Sequence, residues 1–197
     1  MANKFDVLIN SYVEHGVGID HLFLSEVLSN GLRENIQQLS KDGRMVAAGM
    51  GNNTVVHQEK SLRGDKIYWM DKAHNNEHET AFLLLAEELI AYLNSTCYTG
   101  INAYEFHYAL YEKGHGYKRH KDQFSSNNHR KFSFINYLNT SWAEEDGGQL
   151  LIYEGGNTQS IQPLSQTAVF FKSSETEHEV SLANRSRMSI TGWLKTV

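Results

Sequence analysis

Two stretches of the chain carry apolar residues at helical spacing. Leu22, Leu24, Val27, Leu28, Leu32, Ile36 and Leu39 recur three to four positions apart within residues 20–43, and a glycine closes the run. That period predicts an amphipathic helix. Residues 76–97, NEHETAFLLLAEELIAYLNSTC, are more strongly apolar and predict a second helix. Between them the chain is first polar and bears Gly and Asn, which predicts a long loop over 50–63. It then reaches KIYWMD, which reads as a strand.

From residue 101 the pattern changes period. AYEFHYALY, FSFINYLNTSW, GGQLLIYEGG, TAVFFKSS, EHEVSLA and RMSITGWLK are short β-rich runs parted by turn signals such as EEDGG and EGGN. Many short strands after a helical start predict an α+β fold. Its core is a jelly roll, a double-stranded β-helix, with N-terminal helices packed on one side. No repeat, low-complexity tract or linker divides the chain, and only one proline occurs. One domain over 1–197 is expected: residues 1–98 form a mainly helical support and 99–197 the jelly-roll core.

Composition narrows the function without choosing it. The chain has 197 residues, 40% of them apolar and 21% charged, with a net charge of −5. No run of one sign stands out, so neither a nucleic acid nor a membrane surface is the expected partner. No secretory signal and no apolar run of membrane-spanning length is evident. A lone cysteine, Cys97, fits a reducing compartment, so a cytoplasmic protein is expected.

Ten histidines raise the question of a metal. His120-Lys121-Asp122 puts an imidazole and a carboxylate two positions apart, and at a strand end both side chains point the same way. Two imidazoles and one carboxylate hold a first-row metal while leaving positions open. His178, on a late strand, is the candidate third ligand, because a jelly roll sets early and late strands side by side. Taken singly, each of these histidines reads first as an ordinary surface or satisfied residue. His57-Gln58-Glu59 repeats the spacing without a third partner. His74 and His78, four apart, lack the glutamate of a metalloprotease helix and read as solvated residues at a helix start. His107, His115 and His129 flank the favoured cluster as supporting candidates.

Nine residues after His178 comes Arg187, which shares a strand face with Ser189, Thr191 and Trp193. A buried arginine is costly unless paired. It is either a clamp for a ligand carboxylate or half of an internal ion pair. On FSFINYLNTSW, Ser133, Ile135 and Tyr137 alternate with Phe132, Phe134 and Asn136. If the first set faces inward, the Tyr137 hydroxyl can reach the same carboxylate; a core tyrosine is the other reading.

LYEKGHGYKRHKD, FINYLNTSW, GGQLLIYEGG, ETEHEV and RSRMSITGW, in this order, resemble the iron(II)- and 2-oxoglutarate-dependent dioxygenases of the prolyl hydroxylase class. The likeness is greatest to the branch holding the animal oxygen-sensing (hypoxia-inducible-factor) prolyl hydroxylases and their bacterial relatives. RGDKIYWMD, residues 63–71, belongs to the same likeness, which covers about 60–197. The resemblance implies iron ligands at His120, Asp122 and His178, and a 2-oxoglutarate clamp at Arg187 helped by Tyr137. Tyr111 is implied as a second pocket tyrosine, although the YEKGHGY turn is one residue shorter than the branch pattern. Trp193 falls on the substrate side of the iron, Arg130 on the substrate mouth, and the 50–63 loop on a segment that closes over the peptide. The implied cofactors are Fe(II), with 2-oxoglutarate and O2 as cosubstrates and ascorbate as a candidate reductant. The implied reaction hydroxylates a prolyl residue of a protein, giving succinate and CO2. A Tu-type elongation factor is the leading target, and a free amino acid or other small molecule the alternative. A nucleic acid facing Lys118, Arg119, Lys121, Arg130 and Lys131, and a non-catalytic metal-binding module, are weaker readings.

Overall fold

The computed structural model of the chain describes residues 3–49, 63–123 and 129–197. In chain order the elements are α1 (Asp6–His15), β1 (Val17–Asp20), α2 (Glu26–Lys41), β2 (Val46–Ala47), β3 (Asp65–Trp69), α3 (Glu77–Cys97), β4 (Ala103–Tyr111), β5 (Tyr117–His120) and β6 (Arg130–Tyr137). Then follow β7 (Leu150–Glu154), β8 (Asn157–Ile161), β9 (Ala168–Lys172), β10 (Glu177–Val180) and β11 (Arg187–Lys195).

Both expected helices form, and their boundaries have local causes. The Ser25 side chain accepts from the Leu28 amide and starts α2 there rather than at residue 20. The stretch before it is drawn into a sheet, with Val17 facing Phe171 and Asp20 facing Ala168. The expected helix start is therefore corrected: Leu22 and Val27 matched the period but lie exposed. Asn76 caps α3 by accepting from the amides of His78 and Glu79. Helix α1 was not anticipated, because its apolar residues do not keep to one face: Leu8 and Ile9 are buried but Val7 and Val13 are exposed.

The strands make two antiparallel sheets. The larger runs β1-β9-β6-β11-β4-β3-β2 and the smaller β5-β10-β7-β8. The α+β double-stranded β-helix expected from the strand pattern is the architecture found, with α1, α2 and α3 against one face of the larger sheet.

Strand alternation divides the side chains between two cores. Phe106, Tyr108, Phe134, Ile190 and Leu194 pack with Leu8, Leu32, Ile36, Phe82 and Leu89 of the helices. Ile135, Tyr137, Leu150, Ile152, Val169 and Phe171 fill the space between the sheets. The centre of β11 demands glycine. A Cβ on Gly192 would lie 2.1 Å from the Phe106 ring and 2.2 Å from the Glu105 carbonyl oxygen. That close contact keeps β11 and β4 in register, and with them everything on their inner faces.

Candidate metal and cosubstrate site

The inner ends of β4, β5, β6, β10 and β11 surround one cleft. Its wall includes Arg63, Asp65, His107, Tyr111, Tyr117, His120, Asp122, His178, Arg187, Thr191 and Trp193. The antiparallel register sets His178 directly opposite His120, and so brings together residues 58 positions apart. One ligand atom from each of His120, Asp122 and His178 lies within 4.8 Å of the others, and no other such group occurs among the described residues.

Local hydrogen bonds orient all three. His120 Nδ1 lies 2.7 Å from the Lys118 carbonyl oxygen, and His178 Nδ1 lies 3.2 Å from that of Thr176. A carbonyl only accepts, so each Nδ1 carries the proton and each Nε2 keeps its lone pair. Those Nε2 atoms face Asp122, at 3.4 Å from Oδ1 and 3.8 Å from Oδ2. The His120 ring is further fixed by stacking on Tyr117, with centroids 3.6 Å apart. Ser133 Oγ donates to Asp122 Oδ2 at 2.6 Å. Burial alone would raise the Asp122 carboxyl, but His178, His120 and the Ser133 hydroxyl hold it well below the usual carboxylate range. Burial in turn keeps His178 below the ordinary imidazole value. Two neutral imidazoles and an ionised carboxylate, converging with lone pairs inward, are the donor set that suits a divalent first-row metal.

Arg187 sits elsewhere in the same cleft and is 2% exposed. Its Nε donates to the Gly148 carbonyl oxygen at 2.7 Å and one terminal nitrogen lies 3.4 Å from Ser189 Oγ. Among the described residues no carboxylate lies within ion-pair distance of it. The internal ion pair left open by the sequence is thus not what the fold makes. Tyr111 and Tyr137 hold the guanidinium from two sides, with ring centroids 5.1 and 5.0 Å away. Among the described residues the buried Tyr137 hydroxyl has no partner of hydrogen-bond geometry. Burial pushes it up to about 12, although the Arg187 charge opposes the rise. A desolvated cation beside an unspent hydroxyl fits one oxygen-rich anion, such as a carboxylate.

The remaining candidates are distributed unequally. Trp193 lines the cleft, and the Arg130 guanidinium lies 3.4 Å over its ring. Arg130 is no free cation: Glu105 binds it at 2.8 Å. Arg119 is likewise tied to Glu177 and stacked on Tyr153. His74 pairs with the buried Glu79 at 2.9 Å, and His78 lies against Gly31 of α2. His129 bonds the Thr196 carbonyl oxygen. None of the three joins the cluster, whereas His107 lines its cleft. His57 and the 50–62 part of the expected loop lie outside the described residues.

Three supports were not anticipated from sequence. In the sequence Ser133 shows only as one member of an alternating strand. Arg63 and Asp65, paired at 2.6 Å in the cleft wall, were noted only as part of a matching stretch. Nothing in the sequence marks Tyr117 as the ring that stacks on His120. The visible signal for the pair was RGD just ahead of an apolar strand, where an inward Asp65 has to be paired.

Comparison with known proteins agrees with this geometry. The family model of the 2OG-Fe(II) oxygenase superfamily matches residues 106–195. Human prolyl hydroxylase EGLN3 is 30% identical across 91% of this chain and 79% of its own length. A prolyl-4-hydroxylase of Pseudomonas putida superposes with a TM-score of 0.89 at 29% identity, covering 99% of this chain and all of that one. A Trichoplax adhaerens prolyl hydroxylase, solved with a hypoxia-inducible-factor peptide fragment, gives 0.86 at 26% identity, with 96% and 88% covered.

Proposed function

We propose, from the premise that this chain belongs to the 2OG-Fe(II) oxygenase superfamily and within it to the prolyl hydroxylases, that it hydroxylates a prolyl residue in a protein substrate. It is an enzyme of the prolyl 4-hydroxylase type. In our reading His120, Asp122 and His178 hold iron(II), and Arg187 with Tyr137 and Tyr111 receives the far carboxylate of 2-oxoglutarate. When bound, iron(II) supplies the coupling of 2-oxoglutarate decarboxylation by dioxygen to hydroxylation, with succinate and CO2 as coproducts. The observation that carries the reading is Arg187: a buried guanidinium without a carboxylate partner among the described residues, in the cleft that holds the two-histidine, one-aspartate cluster.

The side chains supply geometry and charge. The backbone carbonyls of Lys118 and Thr176 keep both imidazoles in the metal-binding tautomer, and the Ser133 hydroxyl aims Asp122. The clamp fixes the register of the cosubstrate, so its other end meets the metal. Trp193 and Arg130 line the side from which substrate arrives. A protein substrate is favoured because the Trichoplax relative was solved with a peptide fragment. Arg119 and Arg130 are already paired with glutamates, which weakens the case for nucleic-acid phosphates. The exposed, unpaired Cys97 suits a reducing cytoplasm, and among the described residues no helix is long and apolar enough to cross a membrane.

A Tu-type elongation factor is the target we put first. The test incubates that protein with the enzyme, iron(II), 2-oxoglutarate and ascorbate, and reads peptides by mass spectrometry. One proline should gain one oxygen atom, and only when 2-oxoglutarate is present. His120→Ala should form no succinate; wild-type decarboxylation by that variant would sink the site. Turnover of free proline with no peptide gain would move the reading to a small-molecule hydroxylase.

A further inference from the structure

Along the inner face of β4, Tyr111, Ala109, His107 and Glu105 stand opposite Arg187, Ser189, Thr191 and Trp193 of β11. The row therefore runs from the clamp to the substrate side. His107 is its odd member. The residue is 1% exposed, and neither ring nitrogen has a hydrogen-bond partner among the described residues. Its ring lies between two indoles, with centroids 4.9 Å from Trp69 and 5.6 Å from Trp193. Trp69 is 47% exposed, so one side of this slot reaches the protein surface, while His107 and Trp193 line the cleft. Both imidazoles of the cluster, and Asp122, line the same cleft.

A buried polar group without a partner costs stability, and an apolar side chain between two indoles would avoid that cost. The two ring nitrogens are thus left for a group that enters the cleft His107 lines. Burial holds the imidazole down at about 4, and nearby Arg63 pushes the same way, so the ring is neutral near pH 7. A neutral imidazole offers one N–H donor and one acceptor. A prolyl residue within a chain has no amide N–H of its own, but it does have a carbonyl oxygen. A donor is therefore what grips it. A neutral donor also has no charge preference for the carboxylate of free proline.

We infer that His107 is a substrate-specificity residue: its ring N–H donates to a peptide carbonyl oxygen of the target prolyl unit, while Trp69 and Trp193 flank that contact. This rests on the prolyl hydroxylase reading above and goes beyond it by assigning a polar recognition group to the peptide.

The test compares wild type with His107→Leu, which fills the slot without polar atoms, and His107→Gln, which restores an N–H. The probes are acetylated and amidated prolyl peptides that the wild type turns over. In His107→Leu the peptide KM should rise about tenfold, the size of one lost hydrogen bond, and the 2-oxoglutarate KM should stay within about twofold. CO2 released per hydroxyproline formed should increase. His107→Gln should recover most of the peptide KM. With metal-free protein, thermal unfolding of His107→Leu should occur at or above the wild-type temperature, and peptide-induced change in tryptophan fluorescence should need more peptide. An unchanged peptide KM overturns the inference. So does a rise confined to the 2-oxoglutarate KM, which would turn the ring toward the cosubstrate. A marked fall in unfolding temperature would make His107 a structural group and overturn it too. If the wild type turns over no prolyl substrate at all, the underlying reading falls, and this one falls with it.

Discussion

The two faces of the β6–β11–β4 sheet are built from alternate residues of the same strands, yet they follow opposite rules. The helix-facing side is an apolar mosaic. Phe106 and Phe134 meet edge to face with Phe82 and Phe23, at centroid distances of 5.2 Å each. The cleft-facing side buries Arg187, Tyr137 and His107; among the described residues the Tyr137 hydroxyl and both His107 ring nitrogens find no hydrogen-bond partner, and Arg187 finds no carboxylate. Interlocked aromatics are worth most when nothing else is present. Unspent donors and charges are worth most when a ligand arrives. Apolar packing is concentrated on one face and unspent polar groups on the other, and the two-residue period of a strand keeps them apart.

Four substitutions test that division. Phe134→Ala should be the most damaging, at about 3–5 kcal/mol of stability in urea unfolding, with 2-oxoglutarate affinity of the remaining folded protein close to normal. Arg187→Met should do the reverse. The apparent Kd for 2-oxoglutarate should rise about 100-fold, roughly 2.7 kcal/mol, while the ligand-free protein loses only the bond to Gly148, about 1–2 kcal/mol of stability. If Arg187→Met instead unfolds as readily as Phe134→Ala, the division is wrong. Ser133→Ala removes the 2.6 Å bond to Asp122. Iron(II) affinity, measured against a competing chelator, should fall about 10- to 100-fold, and an unchanged affinity would show that Asp122 needs no such support. Tyr137→Phe should be mildest: 2-oxoglutarate binding weakened about twofold to tenfold, with unfolding unchanged or slightly later. A clear loss of stability there would mean the hydroxyl already has a partner.

Legibility in the sequence followed the range of the interactions. Helix α3 was readable to within one residue because its signals are local: an Asn76 cap and an unbroken apolar period. Strand β1 was not, since Gly18 and Asp20 spoil its alternation and only the pairing with β9 makes it a strand. The His120–Asp122 spacing was visible, and a jelly roll made His178 its natural third member. What no spacing could give is the satisfaction of each group. Arg130 finds Glu105 25 positions away, Asp122 finds Ser133 11 positions away, and Arg187 finds no carboxylate among the described residues. Pairing across strands decides such matters, and side-chain type alone does not.

The Nε bond from Arg187 to the Gly148 carbonyl has a consequence for the whole molecule. It joins the large sheet to the turn that leads into β7 of the small one. A carboxylate captured by the same guanidinium would therefore brace the junction between the sheets as well as fill the cleft. By mass action, a ligand that binds only the native state at 100 times its Kd adds about 2.7 kcal/mol to stability. If 2-oxoglutarate is that carboxylate, its supply and the protein's lifetime become coupled quantities: a cell short of it would hold more of this enzyme in the less stable, ligand-free form.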